Sequence, residues 1–463
     1  MSLEKQSELE TWRLIIVDRD RQAITVIADQ TRLGFCLPVV EIPRGHRSAE
    51  TLTQVVKNTL HCDAVCLFVP TVLGPDTFNY AVMERQQGSE TNSNCRSVPF
   101  HDLNTSCFQD AGDFQSVQQS LAELKSLEDD ALAPFIQRGW FQDLQIWIAD
   151  LLKPFELKLT GQFHQLNACP TFSLVRFETT GSDVWFKAVG EPNLREFPIT
   201  LELSRRFPTS LPKMIGQCPE WNGWLAFSAG SRGLGETDDF ECWKAALRAF
   251  ACLQVESLES IESLLDAGAH DLRLTKLSES IHPFLGIVKR LMREQTKASP
   301  NPLSDDDLGL LGLRLEDAIT LLEDLRIPNA LGHLDLNPGN IIPGPKGCKF
   351  LDWAEAYVGH PFFSFEYLLA HWRRIAGSTP EIESSLLAAY MEPWNQILSR
   401  GVIAEAFAFV PLVGVFAYAV GLRAWRDNEL LADQRIAGFI RSLARRMHRE
   451  AVQLIDRREP CLD

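Results

Sequence analysis

What this chain can fold into is constrained most by one short stretch: His333-Leu334-Asp335-Leu336-Asn337-Pro338-Gly339-Asn340, followed twelve residues after Asn340 by Asp352-Trp353. Ile341 and Ile342 are apolar and β-branched and read as a short strand. Pro343-Gly344-Pro345-Lys346-Gly347 reads as a tight turn, and Lys349-Phe350-Leu351 as the return strand. A hairpin of that length closes its own ends. Asn340 and Asp352 are therefore expected to face one space, within reach of a single divalent ion. Asp352 offers a hard anionic oxygen and Asn340 a hard neutral one, a pair that suits Mg²⁺. Asp335, five residues before Asn340, is placed to orient and deprotonate a hydroxyl. Transfer of the γ-phosphoryl group of ATP asks for this set: a base, and a metal to screen charge spread over oxygens. The plainer alternative is a polar loop ahead of a buried hairpin.

The octet resembles the catalytic loop of the aminoglycoside phosphotransferase and choline kinase family, which has a protein-kinase-like fold and usually reads H-G-D-x-H-x-x-N there. Leu351-Asp352-Trp353 is similar to the family's metal-binding I-D-W/F motif, and Gly359-His360-Pro361 to its following G-D-P. The chain departs from that pattern at Leu334 for Gly, at Asn337 for His, and at His360 and Ser364, where the family often has Asp. The likeness covers roughly residues 155 to 455. It implies Asp335 as base, Asn340 and Asp352 as metal ligands, and His333 and Asn337 as supports of the loop.

The resemblance also implies an upstream nucleotide lobe. Phe172 to Phe177 alternates like a strand, Thr179-Thr180-Gly181-Ser182 is a turn, and Val184 to Val189 returns. Lys187 then stands where the family has its phosphate-binding lysine. A lysine in an apolar strand needs a reason, and a phosphate supplies one; an edge lysine that blunts aggregation is the alternative. Asn167-Ala168-Cys169-Pro170-Thr171 sits where a phosphate-covering loop is expected, without a GxGxxG. The carboxylate that pairs with Lys187 is expected at Glu196, because Pro198 is tolerable only in a first helical turn. Glu202 is the second candidate. Phe227, Ser228 and Ala229, with Gly230, are expected to form the hinge whose backbone bonds the adenine.

Downstream the chain reads as a helical lobe. Asp239 to Leu258 carries Trp243, Leu247, Phe250 and Leu253 on one face. Ser304 caps a helix with Asp305, Asp306 and Asp307 in its first turn and Leu308, Leu311, Leu315, Ile319 and Leu322 as its stripe; it is expected beneath the catalytic loop. Further helices are expected at 362–375, 382–398, 403–425 and 430–455. Ala406 to Leu422 is apolar enough to raise a membrane span, but Pro411 and flanking charges favour a core helix.

The first 115 residues stand apart. Strands at 13–17 and 23–27, an apolar Leu37 to Pro43, a turn at Gly45, a helix from Ser48 to Leu60 and a strand from Cys62 to Val69 resemble a Nudix domain. Its catalytic helix needs R-E-x-x-E-E, whereas this chain has Thr53-Gln54-Val55-Val56-Lys57-Asn58. A non-catalytic module is expected, a candidate for regulation or homo-oligomerisation; an unrelated small α+β domain is the alternative. Glu84 to Thr105 reads as a polar loop, and Phe114 to Leu152 as two linker helices around Pro134.

Charge and cysteine usage bound the function. A net charge of −16 argues against nucleic acid, whose backbone calls for a basic surface, and is compatible with a cationic acceptor steered to an acidic cleft. The 11 cysteines show neither framework nor zinc-site spacing, so reduced thiols and a cytoplasmic setting are expected; the polar, acidic start gives no sign of a signal peptide. The fold expected is α+β: a two-lobe protein-kinase-like unit preceded by a small α/β Nudix-like domain. The expected boundaries are 1–115, a helical linker at 116–154, a nucleotide lobe at 155–230 and a helical lobe at 231–463. The expected activity is an ATP- and Mg²⁺-dependent transfer of the γ-phosphoryl group to a hydroxyl of a small molecule, a cationic one among the options. The alternatives are a nucleotide-binding regulator without transfer and, with its carboxylates missing, a Nudix-type hydrolase.

Overall fold

The computed structural model describes residues 9–18, 22–28, 34–44, 47–69, 79–86, 88, 92–128, 134–345, 347–375 and 379–458. Gly45, Arg19 to Arg21 and Lys346, on which parts of the expected turns fall, lie outside them. The chain divides into two compact units, Met1–Phe197 with Lys213–Ser228, and Pro198–Pro212 with Ala229–Asp463. Both mix helices with sheets, as an α+β chain should.

The first unit opens with a mixed sheet of seven strands: β1 (Leu9–Asp18), β2 (Ala23–Ala28), β3 (Phe35–Cys36), β4 (Val39–Pro43), β5 (Ala64–Phe68), β6 (Asn79–Arg85) and β7 (Cys95–Pro99). β1 runs parallel to β6 and antiparallel to β2 and β4. Helix α1 (Ser48–Leu60) buries Ala49, Leu52, Val56 and Leu60. Part of the expected Glu84 to Thr105 loop is strand: β7 pairs with β2 from Ala23↔Pro99 to Ile27↔Cys95. Its residues are polar because they are mostly exposed or half-buried, and a backbone ladder does not need apolar side chains on a solvent face.

Two helices follow, α2 (Ala111–Glu128) and α3 (Trp140–Leu152). Phe141, Leu144, Ile148 and Leu152 make the buried stripe of α3. They belong to one core with Ile15, Val17, Ile24 and Val26 of the first sheet and with Val175, Phe177, Phe186 and Leu225 of a second. The helices read as a linker thus fill a shared core. That second sheet is wholly antiparallel: β8 (Leu159–Cys169), β9 (Phe172–Thr179), β10 (Val184–Val189), β11 (Met214–Cys218) and β12 (Gly223–Phe227), in the order β11-β12-β10-β9-β8. Between β10 and β11 comes α4 (Glu196–Arg206), with Pro198 in its first turn. The Gln165 side chain on β8 ties the two sheets. Its amide oxygen accepts from Cys66 N at 2.8 Å and its amide nitrogen donates to Cys66 O at 2.7 Å, so the backbone of β5 is satisfied by a side chain.

The second unit is mostly helical. Its helices are α5 (Phe240–Glu256), α6 (Ile261–Asp266), α7 (Leu274–Arg293), α8 (Asp305–Asp324), α9 (Phe362–Ile375), α10 (Pro380–Trp394), α11 (Arg400–Gly421), α12 (Asn428–Ala432) and α13 (Gln434–Arg458). A three-stranded sheet joins β13 (His270–Leu272), β14 (Ala330–His333) and β17 (Ala356–Gly359), and a hairpin joins β15 (Ile341–Gly344) to β16 (Gly347–Phe350). Ser304 caps α8 in a reciprocal box with Asp307. α8 packs on α7, α11 and α13, and it is α5 that packs against β14 and β16, in place of the expected helix. α11 is the one described helix long and apolar enough to cross a membrane; it packs on α8, α9 and α13 and buries Phe409, Val413 and Phe416, as a core helix does.

Candidate active site

In the first unit, Lys187 and Glu196 form a charge pair. Lys187 lies on β10, the middle strand of its sheet, opposite Leu174 on one side and Trp224 on the other. This removes the edge-lysine alternative. Its Nζ donates to Glu196 Oε1 at 2.5 Å, and Glu196 is only 2% exposed. Phe172 and Trp224 place ring centroids 5.7 and 5.9 Å from Nζ, an attraction that adds to the pair. Taking two charges from water is costly unless they meet. A lysine on the third strand of a lobe, held by a carboxylate from the next helix, is the arrangement kinases use to place ATP phosphates.

Glu202 does not compete. Six residues on is roughly one and two-thirds turns, which carries it to another face, where it pairs with Arg205 and Arg206. Against some desolvation, those arginines hold its carboxyl below the usual range. The expected phosphate-covering segment is the end of β8 and the turn at Pro170-Thr171, where Gly190 N donates to Thr171 O at 2.9 Å. In the expected hinge, Phe227 N donates to Lys213 O and Ser228 N to Asp183 O, both at 2.9 Å. Those two amides are engaged, and the chain passes to the second unit at Ala229.

The second unit holds the octet. β15 and β16 pair from Ile341↔Phe350 to Gly344↔Gly347. The ladder extends one step further, with Leu351 N donating to Asn340 O at 2.9 Å. That bond sets Asn340 across from the Leu351-Asp352 peptide, as the hairpin length implies. Asp352 is exposed and has φ +62°, a left-handed conformation that costs about 1 kcal/mol or more in a non-glycine residue and persists at sites that use it.

Asp335 is the point on which the loop converges. Asn337 Nδ2 donates to its Oδ1 at 3.1 Å, Tyr367 OH to Oδ1 at 2.9 Å, and Asn340 Nδ2 to Oδ2 at 3.3 Å and to its backbone O at 3.0 Å. The half-buried carboxylate is thus fixed in one orientation, as a general base must be. With its nitrogen turned to Asp335, Asn340 has its amide oxygen left over; no described residue donates to it.

His333 is fully buried and acts as a brace. Asp335 N donates to its Nδ1 at 3.1 Å, so Nε2 carries the proton and meets Leu351 O at 3.0 Å. Burial lowers its pKa, against the pull of a backbone acceptor and nearby acids. A neutral imidazole therefore links the loop to the peptide before Asp352. The departures from the family pattern have local compensation. Ser364 Oγ accepts from His333 N at 2.9 Å, a hydroxyl doing what an acid would. Leu334 has room because position 421 is glycine, where a Cβ would come within 2.2 Å of Leu334 Cδ1. His360 is buried, its pKa pushed down to about 3 by desolvation. Gln254 Nε2 on α5 donates to Leu331 O and Pro361 O, and Ser257 Oγ just past the end of α5 accepts from Leu331 N, which anchors β14 ahead of the loop.

Sequence reasoning missed Tyr367. It lies on a helix whose bounds were legible, but nothing in its neighbours says that its hydroxyl reaches Asp335. Among the described residues no cluster of three His, Cys, Asp or Glu could hold a metal. A metal here would depend on Asp352, the Asn340 amide oxygen and oxygens from a phosphate. That is the hard, incomplete donor set in which Mg²⁺ is usually bound.

No family model matches the sequence, and no curated protein matches it. Solved structures of similar shape are choline and ethanolamine kinases and aminoglycoside and macrolide phosphotransferases. A choline kinase from Cryptosporidium parvum Iowa II is 10% identical with a TM-score of 0.47, over 67% of this chain and 96% of that one. A choline kinase from Streptococcus pneumoniae is 14% identical with a TM-score of 0.43, over 68% and 99%. A spectinomycin phosphotransferase, solved with ADP and spectinomycin, is 13% identical with a TM-score of 0.40, over 67% and 98%. At those scores the likeness by itself establishes no activity.

Proposed function

We propose that this protein is a small-molecule kinase that transfers the γ-phosphoryl group of ATP to a hydroxyl. The observation that carries the reading is the convergence of Asn337, Asn340 and Tyr367 on Asp335, with Asn340 bonded across to Leu351 and hence beside Asp352. A loop that merely precedes a hairpin has no need to gather three donors on one carboxylate. In this reading Lys187, kept in place by Glu196, binds ATP phosphates, and the adenine meets the Phe227–Ala229 segment through groups other than the engaged Phe227 and Ser228 amides. Asn340 and Asp352 would hold Mg²⁺, which when bound screens phosphate charge. Asp335 orients the acceptor and takes its proton. The hydroxyl oxygen forms its bond to the γ-phosphorus as the bond to the bridging oxygen breaks, and ADP leaves with that electron pair.

A regulator that binds nucleotide without transfer is the second reading, and the Pro170-Thr171 turn without glycine favours it. Against it stands an assembled base, which a regulator does not need. Replacing Asp335 by Asn decides. Turnover is expected to fall about 10²- to 10⁴-fold, the usual worth of a positioned base, with MgATP binding within about threefold of wild type. Unchanged turnover would reject Asp335 as the base.

A further inference from the structure

A cavity of about 190 Å³ lies among α9, α11 and α13 of the second unit, walled in part by Glu366, Tyr367, His371, Arg374, Tyr418 and Arg446. Tyr367 is the residue whose hydroxyl reaches Asp335, so the cavity adjoins the base. Its volume lies below the roughly 300–1,000 Å³ of pockets for drug-sized ligands, which points to a compact occupant.

The charges around it are uneven. Glu366 is the one acid among those residues, and it is already shared, with Arg373 at 3.3 Å and Arg446 at 3.6 Å. Arg373 is also held by Glu383 at 2.7 Å. Burial and Arg374 lower the pKa of His371, against the pull of Asp335. Arg374 is different: its Nε donates to Ala370 O at 3.1 Å, and among the described residues no carboxylate forms an ion pair with it. That bond also runs the side chain back along α9, toward Tyr367 two turns earlier, which is about 10 Å along the axis. A cation entering this cavity would meet an acid already spent and a surplus guanidinium. An anion would meet a planar fork of donors suited to a carboxylate.

We propose that this cavity is the acceptor site and that the acceptor is a small hydroxy acid, its hydroxyl at Asp335 and its carboxylate on Arg374. The inference rests on the kinase reading above and replaces the cationic acceptor that the net charge suggests, since whole-chain charge says nothing of one pocket.

The test measures ADP release from MgATP by the full chain with glycolate, glycerate and malate, set against ethylene glycol, glycerol and choline. At least one acid should give a kcat/KM ten or more times that of the neutral and cationic compounds. Arg374→Met should raise KM for that acid tenfold or more with kcat within about twofold, and Arg374→Lys should recover part of the loss. Equal or better use of choline or glycerol, no use of any of the three acids, or an unmoved KM in Arg374→Met would each overturn the proposal. Calorimetry of MgATP on the same sample separates the two levels. Binding of ATP without use of the acids removes the acceptor class alone, whereas no ATP binding removes the kinase reading with it.

Discussion

Two segments of this chain invite comparison, the loop from His333 to Asn340 and helix α1, and the structure treats their polar side chains in opposite ways. In the loop, polar side chains turn inward on one carboxylate: Asn337 and Asn340 donate to Asp335, and Tyr367 joins them from α9. On α1 they are satisfied locally, along the helix or just past its end. Thr53 Oγ1 donates to Ala49 O, Gln54 Nε2 to Asn58 Oδ1, and Lys57 pairs with Asp63. The helix keeps its apolar stripe and has no acids at the middle positions. What distinguishes the loop from the helix is convergence of polar groups on one point, which motif spelling alone does not reveal.

The comparison can be broken from either side. The largest expected effect is the loss of turnover in Asp335→Asn. Next, Tyr367→Phe removes one hydrogen bond to a charged group, worth roughly 1.5–3 kcal/mol. Turnover should drop roughly ten- to a hundredfold with KM for ATP unchanged; full activity in steady-state kinetics would mean that Tyr367 is only packing. Smaller still is a pH effect. His360 is buried and its pKa lies near 3, below its value in an unfolded chain, so the unfolded state binds the extra proton. Stability should therefore fall as pH drops below about 6.5, by roughly 1.4 kcal/mol per unit at most. Urea midpoints at pH 7 and pH 5 should draw closer in His360→Gln than in wild type, and an identical pH dependence would contradict the assignment. The smallest effect belongs to α1: Glu50→Gln should leave phosphoryl transfer unchanged, and a tenfold loss would give α1 a part in the chemistry.

Much of this was legible in the sequence because it depends on local spacing. The hairpin length set Asn340 across from Leu351, the helix bounds of α1 and α9 followed from periodicity, and Pro198 pointed to Glu196 over Glu202. What was not legible depends on packing between distant segments. Tyr367 reaches Asp335 only because α9 packs against the β14 region. Ser364 takes the His333 amide because β17 turns back beside β14. Val117, Leu124 and Phe141 share a core with Phe177 and Phe186, so an apparent linker is part of a folded unit. The pairing of β7 with β2 was hidden for another reason: its ladder is made by backbone, and its polar side chains carry no period.

The central claim, that this chain binds MgATP with Asn340 and Asp352 on the metal, is tested most directly by calorimetric titration of ATP with and without Mg²⁺ into wild type and Asp352→Ala. Mg²⁺-dependent binding that weakens tenfold or more, about 1.4 kcal/mol, in Asp352→Ala is the predicted result. Absence of binding in wild type, or equal binding by the variant, would contradict the account.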